Sequence, residues 1–257
     1  MIDALRYETV RIRTIGSTYW TLIIGLGLCA LIALGFGIDS RGTDLPPAVA
    51  TLLLTGGGES LPFIVLGLPV ALLGVLSTAH EYRYKTIFPT LTAIPRRSVV
   101  LAAKVLVVGS VAAAAALASV LLCWSIGSIA LGAPLPLAAE PIPVVLIGYV
   151  LLASLYGVLG VALGQLTRAI PTATVIILVC PLIIEPVIST LSGLAALSWV
   201  SAAVPYLPFG AGMRLLGAGL TPASVELLGR WEGGAVFAVF VGILLGLGWF
   251  LLERRDA

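Results

Sequence analysis

The spacing of charges constrains this chain most. A helix needs roughly 20 apolar residues to cross the hydrocarbon core of a bilayer. Six runs of about that length or longer hold almost no charge: about 17–38, 60–79, 98–131, 143–166, 171–192 and 234–252. Lys104 stands near the start of the third run and Glu185 inside the fifth. Only 10 % of the 257 residues are charged, 60 % are hydrophobic, and the mean hydropathy is +1.14. Soluble domains carry about 25 % charged residues, so this chain has too little polar surface to cover a ball in water. That excludes a soluble enzyme and a disordered chain. A net charge of +2 with no basic block leaves no nucleic acid among the expected partners. The sequence predicts an all-α polytopic membrane protein, a single transmembrane domain over 1–257.

Charge placement tests the count. With both termini cytoplasmic, the inner segments hold Arg6, Arg11, Arg13, Arg83, Lys85, Arg96, Arg97, Lys104, Arg168, Arg254 and Arg255, which is 11 of the 14 basic residues. Arg41, Arg214 and Arg230 fall outside. Cytoplasmic loops are enriched in Lys and Arg, so six spans and this orientation are expected. The segment 193–233 is apolar, but Pro205, Pro208, Pro222 and several glycines break it. It reads as short half-inserted helices; a seventh span would carry Arg254 and Arg255 outside. Residues 1–15 alternate charge with Ile2, Leu5, Val10, Ile12 and Ile15, the pattern of an amphipathic helix on the inner surface; lipid anchoring and a docking role both fit. The first apolar run exceeds the length of a signal-peptide core and no cleavage site follows it, so it is expected to be retained. Cys29, Cys123 and Cys180 sit in apolar runs and read as small buried hydrophobes.

The loop between the second and third runs holds the one histidine and Lys85, with Lys104 just beyond it. Ile87, Leu91 and Ile94 are spaced four and three apart, one apolar face of a helix, with Phe88 beside them. Pro95 should end that helix and Ser98 should cap the next. Basic residues in a cytoplasmic loop need no special cause. An apolar and aromatic stripe facing water implies a partner.

These residues carry a resemblance. Glu81-Tyr82-Arg83-Tyr84-Lys85-Thr86-Ile87, then Pro95-Arg96-Arg97, then Lys104 resemble the first intracellular loop of ABC-type exporter permeases of the type-2 membrane-subunit family, the type V exporter fold. Lys85 stands where that family usually has Gly. The run Tyr7-Glu8-Thr9-Val10-Arg11-Ile12-Arg13-Thr14 with Ser17-Thr18-Tyr19-Trp20-Thr21-Leu22 is similar to the opening of many actinobacterial members, and Leu207-Pro208-Phe209-Gly210-Ala211-Gly212 matches before the last span.

The resemblance implies a half-transporter: two permease copies, as a homodimer or a heterodimer, above two copies of a separate ABC ATPase subunit. ATP and Mg would sit on that partner, and no cofactor on this chain. The loop 81–95 would be the coupling helix. Its docking residues would be His80, Glu81, Arg83, Tyr84, Lys85, Thr86, Ile87, Phe88, Leu91, Pro95, Arg96 and Arg97, with Glu8 and Arg11 on the interface helix 1–15. The segment 193–233 would be an external gate of re-entrant helices, with Pro205, Pro208 and Phe209 in it. The setting would be the bacterial inner (plasma) membrane, and the cargo a hydrophobic or amphipathic drug, antibiotic, peptide or lipid. Neither lysine follows a glycine as G-x-x-x-x-G-K-[ST] requires, so ATP hydrolysis belongs to another chain and this one is no enzyme.

Other residues stand out for their own chemistry. Glu185 lies about 14 residues into the fifth run, roughly 21 Å along a helix, and Pro181 and Pro186 should kink the helix around it. A carboxylate in hydrocarbon is costly and paired or functional. It reads either as a cavity or gate residue, or, if the fifth span ends near Ile184, as a residue at the outer interface or paired with Arg214. Glu59 opens the second run, where an acid suits a helix N-terminus; a place in the substrate pathway is the other reading. Gly160-x-x-x-Gly164, Gly242-x-x-x-Gly246 and Ala112–Ala116 permit close helix contact. Trp20, Trp231 and Trp249 suit interfacial anchors. A rhomboid-like protease would need a serine and a histidine on different spans; His80 is the one histidine, at a helix end. A secondary transporter or channel of six spans is the alternative, though such proteins usually carry internal repeats or several intramembrane charges.

Overall fold

A computed structural model of the chain describes residues 1–14, 16–42, 45–57, 64–84, 92, 96–217 and 228–254, with backbone only at 195–198. Among the described residues there is no strand. The long elements are α1 (Ile2–Thr14), α2 (Gly16–Asp39), α4 (Gly67–Arg83), α5 (Arg97–Leu131), α6 (Ile142–Thr167), α7 (Ile170–Leu191) and α9 (Arg230–Arg254). Two short helices, α3 (Pro47–Thr55) and α8 (Pro208–Met213), complete the set with short 3-10 pieces. Five helices, α2, α5, α6, α7 and α9, are long and apolar enough to cross a membrane. The chain is a multi-pass α-helical membrane protein.

The second expected run differs. Its helix is α4, 17 residues long, or about 25 Å at 1.5 Å per residue, against a hydrocarbon core of ~30 Å. Residues 58–63, which open that run and include Glu59, lie outside the described residues. Before them comes α3, a helix too short for the hydropathy of a span to mark. In α3 every residue from Ala50 to Thr55 is buried. Pro47 starts it and Gly56 stops it with φ +63, a left-handed conformation open to glycine. A side chain at Gly56 would also strike Cys29 at 2.6 Å, so glycine is required there twice over.

Arg96, in extended conformation, stands at the cap position of α5, and no side chain caps the helix. Ser98 therefore lies inside the first turn, where it was expected to be the cap. Helix α7 opens with proline in its first turn, as Pro171 suggested. Its regular hydrogen bonding changes to a π turn at Cys180–Ile184, with Pro181 inside it and Pro186 just beyond. Beyond α7 the chain forms a 3-10 stretch, Ala195–Tyr206, then α8, then a 3-10 turn at Arg214–Leu216.

The tightest packing is between α4 and α6. A Cβ on Gly74 would strike the carbonyl of Gly157 and lie 2.7 Å from the nitrogen of Val161; one on Gly160 would strike the carbonyl of Ala71. Gly164 lies against Val75 and Thr78. The spacing Gly160-x-x-x-Gly164 thus faces a partner helix. Gly242 and Gly246 of α9 have nothing within 4 Å of a Cβ. Around the seam the core gathers Tyr149, Leu152, Tyr156, Leu159, Phe209 and Phe237, all 3 % exposed or less. Ala112 and Ala116 of α5 are buried in the same core, as are Cys29 and Cys123, while Cys180 is half-buried.

Helices alternate in direction, and cross-links identify the ends. Arg11 of α1 bonds Glu81 at the end of α4, Tyr82 receives Gln165 from the end of α6, and Arg97 at the start of α5 donates to the carbonyl of Leu252 near the end of α9. These define one end, termed the near end. Of twelve described basic residues, nine sit there and three, Arg41, Arg214 and Arg230, at the other.

Candidate functional site

The near end contains a closed cluster of four charges. Glu8 is 1 % exposed, Glu81 2 % and Lys104 2 %. Lys104 Nζ donates to Glu8 Oε1 at 2.6 Å, to Glu81 Oε1 at 2.8 Å and to the carbonyl of Ser77 at 3.3 Å. An ammonium has three protons, and each has an acceptor. Arg11 Nη1 bonds both carboxylates, 3.1 Å from Glu8 Oε1, and its Nη2 donates to the Ser77 carbonyl. The two acids and two bases cancel, which is what makes burial tolerable. The second oxygens of Glu8 and Glu81 have no partner among the described residues.

Local sequence explains the geometry. Ala4, Glu8 and Ile12, four apart, form the inward face of α1. Ser77 and Glu81 are likewise one turn apart on α4, and Lys104 lies two turns into α5. Thus α1, the last turn of α4 and the first turns of α5 are tied together on either side of the loop 85–95. A second clamp lies beside it. Gln165 Nε2 donates to the Tyr82 hydroxyl at 2.6 Å, and the Arg168 guanidinium lies 4.6 Å from the centre of the Tyr82 ring. Arg168 ends α6 at φ +53, an uncommon conformation for a side-chain-bearing residue.

The residues expected to dock a partner therefore divide. Glu8 and Glu81 face inward, Arg11 nearly so. Arg83, Tyr84 and Arg96 are exposed, while His80 and Arg97 are half-buried. His80 meets the Tyr84 ring edge-on at 5.7 Å, and Arg83 lies over the same ring. Lys85, Thr86, Ile87, Phe88, Leu91, Ile94 and Pro95 lie outside the described residues.

Toward the far end, Glu185, Pro208 and Phe209 of the second expected group come together, whereas Glu59 lies outside the described residues. Its carboxylate accepts the backbone N–H of Phe209 at 2.8 Å and of Gly210 at 2.6 Å. These amides open α8, directly after Pro208. Glu185 is 8 % exposed and forms no ion pair among the described residues. The expected alternative, a pair with Arg214, is not formed: Arg214 donates to the carbonyl of Leu228 at 3.3 Å. Phe209 packs with Tyr156, Phe237 and Phe240, whose ring centres lie 5.7 to 6.3 Å from its own. Pro205 lies in the preceding 3-10 stretch, outside this contact. The carboxylate thus fastens the short helix α8 to the end of the π turn of α7.

Sequence reasoning missed Lys104 as a site residue, and with it Gln165 and Arg168. The signal for Lys104 was present: a lysine inside an apolar run needs a counter-charge. Gln165 and Arg168 gave no signal short of the helix pairing. Among the described residues no group of His, Cys, Asp and Glu could hold a metal ion. No protein-family model matches the chain, and no curated protein matches it.

Proposed function

We propose that the chain is the membrane-spanning permease subunit of an ATP-driven exporter, working as a dimer with separate ABC ATPase subunits. Its near end would be cytoplasmic in a bacterial plasma membrane. ATP and Mg would act on the partner, and the cargo would be hydrophobic or amphipathic, such as a drug, antibiotic, peptide or lipid. The observation that carries this reading is the buried four-charge cluster. It joins α1 to both flanks of the loop 85–95, so a push on the loop would reach α4 and α5 together. The loop's resemblance to exporter coupling loops and the basic near end support the same reading. In it, Arg83, Tyr84 and Arg96 touch the ATPase, whereas Glu8, Arg11, Glu81 and Lys104 act as positioning residues.

The test is co-expression with an ABC ATPase whose gene adjoins that of this chain, the absence of such a gene itself counting against the reading. The ATPase should co-purify with the wild-type permease, and R83E/R96E should lower the yield of complex about tenfold or more, on the scale of a lost interface hot spot. Per amount of folded permease, E81Q should bind the ATPase as the wild type does but cut cargo-stimulated ATP hydrolysis. Absence of any complex, with transport continuing when the ATPase is hydrolysis-dead, would overturn the reading in favour of a secondary transporter or channel.

A further inference from the structure

Helix α1 buries one carboxylate on its inner face and exposes aliphatic side chains on its outer one. Ala4, Glu8 and Ile12 face the bundle. On the opposite side Ile2 is 80 % exposed and Val10 54 %, with Arg6 and Arg13 exposed between and beyond them. Positions 2, 6, 10 and 13 follow steps of four, four and three, so they form one ridge. Neither guanidinium has a partner among the described residues. Water suits the arginines but not Ile2 and Val10; hydrocarbon suits the reverse. A bilayer's headgroup boundary suits both.

The depth of α1 agrees. The Tyr19 hydroxyl donates to the carbonyl of Arg13 at 2.9 Å, which folds the end of α1 against the first turn of α2. Tyr19 and Trp20 are 51 % and 67 % exposed, and such aromatic residues settle at the membrane–water interface. Arg13 is therefore held at interfacial level. Around the same end Arg83, Arg96 and Arg254 are also exposed, against the exposed acids Asp3 and Glu253. The rim is positive.

We propose that the outward ridge of α1 binds the headgroups of anionic phospholipids, with Arg6 and Arg13 on the phosphates and Ile2 and Val10 among the upper acyl carbons. The ridge requires only that the chain sits in a membrane, so it stands or falls apart from the transport reading. Purified full-length chain in neutral maltoside micelles would be titrated with phosphatidylglycerol, phosphatidylcholine or inorganic phosphate, reading thermal melting and the lipids retained in native mass spectra. Phosphatidylglycerol should raise the melting temperature and be retained, and the other two should not. R6Q/R13Q should weaken the response about 25-fold, about fivefold for each arginine, at an unchanged melting temperature without lipid. I2S/V10S should weaken it as well, and 0.5 M salt should shrink it by screening. An undiminished response in R6Q/R13Q overturns the proposal, all the more if that variant instead loses the ATPase, which would make the ridge a protein-docking face. An equal response to inorganic phosphate or to phosphatidylcholine overturns it too.

Discussion

Lys104 has given up water on all sides, and each proton on its nitrogen has one acceptor. Such a group stabilises only while its partners remain. K104M would leave Glu8 and Glu81 sharing Arg11 alone in a closed site; breaking a buried ion pair costs about 3–5 kcal/mol. Thermal melting in detergent should show this loss, and E81L added to K104M should recover part of it by removing the stranded charge. A double variant no more stable than the single one would mean that pairing is not what holds the cluster. Glu185 is the converse case, one carboxylate with no cation beside it among the described residues, satisfied by two amides. E185A would orphan both N–H groups at about 1–3 kcal/mol each. Hydrogen exchange should then accelerate at Phe209 and Gly210 while the amides of α6 keep their protection.

Among elements, the long helices were legible because hydropathy and length decide them. The chain 98–131 needed no tertiary help to be read as the helix Arg97–Leu131. Short elements were legible only where punctuation marked them. α3 carries proline at its start and glycine at its stop, yet its nine residues fall far below a span and its burial comes from neighbours in space. The site was half legible. Glu8, Arg11 and Glu81 were picked out, but as a surface; nothing in their spacing says that α1 folds its charged face inward onto Lys104. Likewise both glycine motifs looked alike in sequence, and only packing separates them. G160A should therefore destabilise the chain by at least the 1–3 kcal/mol typical of overpacking, since the carbonyl of Ala71 blocks the new methyl. G242A, with open space around it, should leave the melting temperature unchanged. Equal effects at the two positions would contradict the α4–α6 seam.

For the whole molecule, the basic near end fixes how it should sit. With nine of its twelve described basic residues there, that end should face the cytoplasm. R83C should react with a membrane-impermeant maleimide only from the inner side of vesicles, and R41C only from the outer side; both positions are exposed. The opposite pattern would invert the topology. The α4–α6 seam has a mechanical consequence. Where backbone rests on backbone there are no side chains to repack, so little between the two helices can yield. Together they act as a strut from Arg83 to Tyr156, the ring on which Phe209 rests. Compliance lies instead in α7, whose π turn and two prolines interrupt its hydrogen-bond ladder at Cys180–Ile184. An axial load applied at the near end is therefore carried stiffly to the middle of the bundle and bends the joint next to Glu185.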